Sequence, residues 1–250
     1  CARGCASFCP SMWTCAWWDH IDDYAHYARS VVHAESTAPT RAGLTLFATR
    51  HPDDRATELS SDVLVGGLHA AITKTRGKCP LTTIAPDAAD KARLATLLGG
   101  RETPALLFTA SHGVGFPADD PRQRDHQGAL LCQDWPGPAH AGPIPPDFYF
   151  AGHDLAPTAD LRGLIAFCFA CFAGGTPRAD NFHPHGAGPA PQLAPRPFVA
   201  RLAQQLLAHP GGGALAIVAH VDRSWASAFH GGRSGPQVEA FTSALKRLID

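Results

Sequence analysis

The chain has almost no net charge and no long apolar run, and each of these absences excludes a class of partner. Its 21 Lys and Arg residues balance 22 Asp and Glu residues, which gives no electrostatic basis for binding nucleic acid or an anionic membrane surface. No apolar run approaches the ~20 residues needed to cross a bilayer, and no signal peptide is visible. We therefore expect neither nucleic acid nor a membrane as a partner.

Cysteine is present, but its spacing is not that of a disulfide or metal framework. The eight cysteines are scattered over 250 residues, and a chain of this length can bury a large core without disulfides. Cys1, Cys5, Cys9 and Cys15 form a cluster, but their spacing differs from the paired knuckles of zinc sites. Buried thiols in a reducing compartment are the favoured interpretation, which slightly favours the cytoplasm. Because the sequence begins with Cys1 rather than Met, we expect it to belong to a longer chain.

Short apolar runs alternate with amphipathic helical segments along most of the chain. The runs are apolar on both faces and bounded by glycine and proline, as in buried parallel strands. This alternation predicts an α/β fold with three α/β/α layers and a mostly parallel sheet. Residues 1–40 are expected to form an N-terminal extension with one helix, and residues 41–250 the main domain. Strands are predicted over 44–48, 80–85, 104–111, 163–170 and 214–221, and helices over 17–34, 60–72, 88–98, 197–208 and 235–248.

Two of the predicted strands end abruptly in a reactive residue. The run 104–111 stops at His112 and Gly113, and the run 163–170 stops at Cys171. Sites in open α/β sheets form at the carboxyl ends of the strands, and neighbouring strands lie about 4.8 Å apart. If these strands are neighbours, an imidazole and a thiol meet at one edge, as in a cysteine nucleophile with a histidine acid/base. The glycine N–H can face a developing oxyanion with no side chain in the way.

The register of the second run distinguishes two cysteines that lie three residues apart. Side chains three apart on a strand point to opposite faces. Cys168 lies inside the apolar run and is predicted to be core, whereas Cys171 stands where the run breaks and is predicted to be the exposed thiol. The Pro/Gly-rich segment 113–161 lies between the two strands and is expected to overhang the site.

The residues around these strand ends resemble the caspase-like clan of cysteine peptidases, and especially its gingipain-type branch, family C25. The resemblance rests on Thr109-Ala110-Ser111-His112-Gly113 and on the block 169–177, with support from 134–138 and 216–222. It covers roughly residues 24–250 and leaves out the cysteine-rich start. Ala173-Gly174 stands where the family pattern has the order Gly-Ala, which predicts a slightly displaced loop after the cysteine.

The resemblance implies a caspase-like fold and an endopeptidase that acts on a peptide or protein substrate without cofactor or metal. Cys171 matches the nucleophile, His112 the general acid, and the N–H groups of Gly113 and Cys171 the oxyanion hole. Trp225 resembles the tryptophan that lines the pocket for a basic side chain at P1, the residue whose carbonyl is attacked. Such a pocket also needs a buried carboxylate, for which the candidates are Asp62, Asp160 and Asp222.

Three other functions stay open at this point. A catalytically silent caspase-like domain could serve as an interaction or scaffold module, because a fold does not guarantee chemistry. Cys168 and Cys171 have the spacing of a redox CxxC pair. A metal site could use His183, His185 and a cysteine.

Overall fold

A five-stranded, all-parallel sheet forms the centre of the molecule. The computed structural model describes residues 18–39, 41–74, 79–184, 186–231 and 235–249. In chain order the strands are β1 (Leu44–Ala48), β2 (Leu81–Ile84), β3 (Leu106–Ala110), β4 (Leu130–Leu131), β5 (Tyr149–Phe150), β6 (Ile165–Phe169), β7 (Gly175–Thr176), β8 (Phe198–Val199) and β9 (Ala216–Ala219). The central sheet has the order β2-β1-β3-β6-β9, and β4-β5 and β7-β8 are short antiparallel pairs outside it.

Helices cover both faces of this sheet. They are α1 (Ile21–Ser36), α2 (Arg55–Leu59), α3 (Gly66–Thr73), α4 (Lys91–Leu97), α5 (Gln123–His126), α6 (Arg201–Leu207) and α7 (Glu239–Ile249), with a π-helical turn, Ser60–Val65, between α2 and α3. Alternate residues of β3 point to opposite faces: Leu107 joins the core beneath α4 and α6, and Phe108 joins the core beneath α3 and α7. The predicted α/β architecture and parallel sheet are confirmed. No helix among the described residues is long and apolar enough to cross a bilayer.

All five predicted strands are present, whereas one predicted helix begins earlier than expected. The sequence placed a helix start at Ser60, but the chain becomes helical at Arg55. The reason is Asp54, whose carboxylate accepts a hydrogen bond from the Ala56 N–H at 3.2 Å. An aspartate at this position satisfies a free amide of the first turn and so starts the helix.

The segment before β1 is hydrogen-bonded to the main domain. Trp18 is buried, and its indole N–H donates to the Gln204 carbonyl at 3.1 Å. The Tyr27 hydroxyl donates to the Leu215 carbonyl at 3.0 Å, and Ser30 Oγ accepts from the Gly213 N–H at 2.8 Å. Helix α1 therefore packs near α6 and the start of β9, an edge strand of the sheet.

The strand order creates one crevice at the carboxyl edge of the sheet. The chain goes outward from β1 to β2 and then crosses back to β3, so β1 and β3 are neighbours whose following loops diverge. Open α/β sheets bind their ligands at such a switch point. The residues that follow β1 and β3 are therefore the first to inspect for chemistry.

Candidate active site

The structure places the two reactive strand ends side by side. Strands β3 and β6 are parallel neighbours, with Ala110 paired to Phe169. The pairing continues beyond the strands, because the Ser111 N–H donates to the Phe169 carbonyl at 3.2 Å. His112 and Cys171 each lie two residues past the last pair. His112 and Cys171 therefore occupy equivalent positions on neighbouring strands, at the carboxyl edge of the sheet.

Gly113 lies against the backbone of Cys171. A Cβ at position 113 would be 1.7 Å from the Cys171 carbonyl oxygen. Within the described part of the chain, neither the Gly113 N–H nor the Cys171 N–H donates a hydrogen bond to a protein acceptor. Both predicted oxyanion-hole amides are thus without an internal acceptor, as a site for a developing oxyanion requires.

The close approach at Gly113 predicts a large effect of a single methyl group. Gly113→Ala is expected to lower the free energy of unfolding by about 3 kcal/mol or more, because the clash is with backbone and no rotamer relieves it. Gly115→Ala is the matched control, since its Cβ would meet only the Phe172 ring, at 3.8 Å. Urea unfolding of the two variants measures the difference, and equal stabilities would show that the strand ends are not in contact.

The thiol of Cys171 is partly exposed and is flanked by Ser224. The Ser224 N–H donates to Sγ across 3.4 Å, and Ser224 Oγ lies 3.5 Å from the same sulfur. Cys168, in contrast, is buried in β6, and burial raises the pKa of its thiol to about 11. The two cysteines therefore differ in exposure, as their register predicts.

The residue after Cys171 has an unusual backbone conformation. Phe172 has φ +59°, in the left-handed region that a bulky side chain rarely adopts. Its N–H donates to the Asp222 carbonyl at 2.8 Å, which holds the turn in place. Such strain costs on the order of 1–3 kcal/mol and is concentrated at functional sites. The turn therefore begins directly after Cys171, two residues beyond the end of β6.

Sequence analysis missed one member of the site, Asp54. Its Oδ2 lies 2.6 Å from His112 Nε2, and its side chain is only 9% exposed. The Thr57 hydroxyl lies 3.0 Å from the same oxygen. Burial raises the pKa of the Asp54 carboxyl, but the His112 charge and the hydrogen bonds from His112, Thr57 and Ala56 outweigh it, so the net pKa is lowered. An ionised carboxylate therefore faces the imidazole and fixes the orientation of its ring.

The segment between the two reactive strands lies against the site, through Trp135. The Trp135 ring is 6.1 Å from the His112 ring, edge to face, and 4.8 Å from the ring of His51. His51 is fully buried, and burial lowers its pKa despite the nearby Asp54. A neutral His51 and an indole thus form the apolar side of the crevice beside His112.

Two of the predicted pocket residues lie next to the thiol. Trp225 follows Ser224, is 48% exposed, and has its ring 5.7 Å from that of Phe182. The side chain of Asp222 is buried, and its carboxylate accepts hydrogen bonds from the Asn181 amide at 3.2 Å and from its neighbour's backbone N–H at 2.8 Å. An aromatic ring and a buried carboxylate are therefore both present on the strand-end loop that contacts Cys171.

The other two candidate carboxylates do not share this place. Asp62 is exposed and pairs with Arg50 at 3.2 Å. Asp160 precedes β6 and pairs with Arg162 at 2.7 Å, which places it at the amino edge of the sheet, opposite the thiol. As a candidate for the pocket, Asp160 is wrong, because a loop before a parallel strand cannot reach the carboxyl edge.

The described residues contain no group of three or more His, Cys, Asp or Glu side chains placed to hold a metal ion. Of the residues considered for metal binding, His183 is described, whereas His185, Cys1, Cys5, Cys9 and Cys15 lie outside the described residues.

The residues of the alternative redox pair, Cys168 and Cys171, are both free thiols. Cys168 is buried and Cys171 is partly exposed.

The crevice thus combines a partly exposed thiol, an imidazole held by a carboxylate, and two unpartnered amides. This set can perform nucleophilic acyl transfer, in which a thiol attacks a carbonyl and an acid/base moves the proton. Comparison with family models, with curated proteins and with solved structures gives no match to this chain.

Proposed function

We propose that this chain is a cysteine-type endopeptidase of the caspase-like fold, with Cys171 as nucleophile and His112 as acid/base. The observation that carries the proposal is the pairing of β3 with β6, in which His112 and Cys171 follow equivalent strand positions. Gly113 is in contact with the Cys171 backbone. The Asp54–His112 hydrogen bond supports it, because an imidazole that transfers protons needs a fixed orientation. The resemblance of the strand-end residues to gingipain-type peptidases points the same way.

The reaction follows from these positions. The Cys171 sulfur gives up its proton to His112 and attacks the scissile carbonyl, and the oxyanion that forms accepts hydrogen bonds from the Gly113 and Cys171 N–H groups. The C–N bond then breaks as His112 protonates the leaving amine, which leaves a thioester on Cys171. A water molecule, deprotonated by His112, attacks the thioester and releases the acid product and the thiol.

Asp54 acts through His112 rather than on the substrate. Its carboxylate contacts Nε2, so Nδ1 is the ring nitrogen that remains to exchange a proton with the thiol and the substrate. A negative charge at 2.6 Å stabilises the imidazolium that forms when the proton leaves sulfur. Asp54 is therefore a positioning residue of the proposed site.

The proposed substrate is a peptide with a basic residue, Arg or Lys, at P1. Trp225 offers an exposed ring for the aliphatic stem and the cationic head, and Asp222 offers a buried carboxylate in the same loop. Both residues lie in the loop that contacts Cys171 through Ser224, so a bound P1 side chain is within reach of the thiol.

Two other functions fit the residues less well. A redox role for Cys168 and Cys171 requires two accessible thiols, and Cys168 is buried with a raised pKa. A silent interaction module does not need an aspartate on the histidine or a strained turn after the cysteine, both of which are present.

Cleavage of peptides that differ only at P1 tests the proposal. The purified chain is expected to cut internal bonds after Arg or Lys, with both fragments identified by mass spectrometry, and iodoacetamide is expected to stop the reaction. A folded protein that cuts no peptide, with any P1 residue, would favour the silent module instead.

A further inference from the structure

The residues proposed to bind a basic P1 side chain, Trp225 and Asp222, already contact a basic side chain of this chain, that of Arg223. Its guanidinium carbon lies 5.6 Å from the centre of the Trp225 ring and 5.3 Å from the centre of the Phe182 ring. These are distances at which a cation interacts favourably with an aromatic face. The two rings are 5.7 Å apart, so the guanidinium is bound by an aromatic pair rather than by a single ring.

Two carboxylates complete the surroundings of this guanidinium. Asp180 forms an ion pair with Arg223 Nη2, and Asp222 Oδ1 lies 3.6 Å from Arg223 Nε. The side chains of Asp180 and Asp222 are only 13% and 4% exposed. Because buried carboxylates need a partner, this aromatic and acidic cradle is suited to a cationic side chain, and Arg223 supplies one.

The cradle is adjacent to the nucleophile. Arg223 directly precedes Ser224, whose N–H and hydroxyl contact Cys171 Sγ. The carbonyl of Asp222 accepts the N–H of Phe172, the residue after Cys171. A basic P1 side chain that uses Trp225 and Asp222 would therefore enter the space that the Arg223 guanidinium occupies.

We propose that Arg223 is an internal competitor for the P1 side chain and lowers the affinity of this chain for peptides with a basic P1 residue. The proposal rests on the peptidase function proposed above. A peptide with Arg or Lys at P1 binds only when the Arg223 side chain has left the cradle. Its apparent affinity is reduced by the fraction of molecules in which the cradle is open. Peptides with an uncharged P1 side chain do not need the carboxylates and do not experience this competition.

Removal of the Arg223 side chain leaves the other members of the cradle in place. Asp222 keeps its hydrogen bond from Asn181, and Asp180 keeps its side-chain bond to the Phe182 N–H at 2.8 Å. The Phe182 and Trp225 rings keep their edge-to-face contact. The opened cradle then presents two carboxylates without their cation, which favours binding of a cation from solution.

Steady-state kinetics of Arg223→Ala test the proposal. For a peptide with Arg at P1, relative to the same peptide with norleucine, kcat/KM is expected to rise about tenfold or more over wild type, mainly through a lower KM. Arg223→Gln, which keeps the length of the side chain without the charge, is expected to give a smaller rise. Arg101→Ala is the control, because Arg101 is exposed in the turn before β3, at the opposite edge of the sheet. An unchanged ratio in both Arg223 variants, with cleavage intact, would overturn the proposal.

A binding measurement separates this proposal from the peptidase function. Benzamidine, a small amidinium, is expected to bind the Arg223→Ala variant about tenfold or more tightly than wild type, as measured by calorimetry. Asp180→Asn, added to the Arg223→Ala variant, is expected to remove that gain. If neither protein cleaves any peptide but the affinity gain is seen, the peptidase function fails and the Arg223 cradle stands. Equal benzamidine affinities in wild type and Arg223→Ala would overturn the cradle whatever the activity.

Discussion

Cys171→Ala is expected to lower kcat/KM for peptide cleavage by about 10⁴-fold or more, to the level of the uncatalysed background of the assay. The reason is that no other described thiol lies at the carboxyl edge of the sheet beside His112. Cys168 and Cys132 are buried, and Cys79 precedes β2 at the amino edge. A continuous fluorogenic assay at peptide concentrations well below KM measures the loss.

Cys79→Ala is the matched control for this loss. Cys79 is half-buried at the margin of the core, and its thiol donates to the neighbouring Pro80 carbonyl at 3.7 Å. Its removal takes away one free thiol without touching the crevice, so kcat/KM is expected to remain at the wild-type value. Retained cleavage by Cys171→Ala, or a comparable loss in Cys79→Ala, would contradict the assignment of the nucleophile.

Asp54→Asn is expected to reduce kcat by about 10²- to 10⁴-fold with little change in KM, because the carboxylate acts on the imidazole and not on the substrate. Asparagine keeps the shape of aspartate and its ability to start a helix, so α2 is expected to stay folded. What is lost is the charge that lies 2.6 Å from His112 Nε2. Asp53→Asn is the control, because Asp53 precedes Asp54 and its side chain is exposed. Its backbone has φ +57°, a conformation that asparagine tolerates.

The stability of the Asp54→Asn variant gives a second readout. The pKa of the Asp54 carboxyl is lowered in the folded chain, from about 3.9 in an unfolded one. Its contribution to stability is therefore complete above that unfolded value and is lost as the pH falls through the lower folded pKa. Urea unfolding below about pH 4 should show a shallower decline in Asp54→Asn than in wild type, and equal slopes would show that the carboxylate is not held by His112.

The sequence predicts the strands and their ends because those signals are local. An apolar run such as β3 or β6 is bounded by glycine and proline within a few residues, and His112 and Cys171 stand where the runs stop. The register that separates Cys171 from Cys168 follows from the alternation of side chains along a strand. The pairing of the two strands then brings imidazole and thiol to one edge.

Asp54 and Arg223 could not be placed in the same way, because their partners are distant in the sequence. Asp54 meets His112 58 residues further on, and only because β1 and β3 are neighbours in the sheet. In the sequence, Asp54 shows only that it could start a helix. It stands in a polar segment without apolar periodicity, so nothing there marks the helix that follows. Arg223 meets Asp180 across 43 residues. Asp180 lies in a loop rich in glycine and proline, whose course depends on its contacts with other parts of the chain.

The central claim is that Cys171 is the nucleophile of a site shared with His112, and covalent labelling tests it most directly. An acyloxymethyl ketone with Arg at P1 would be incubated with the native chain, and the adduct located by peptide mass spectrometry. We predict a single adduct on Cys171, lost in Cys171→Ala and slowed in Asp54→Asn. An adduct on any of the other seven cysteines in place of Cys171 would contradict the account.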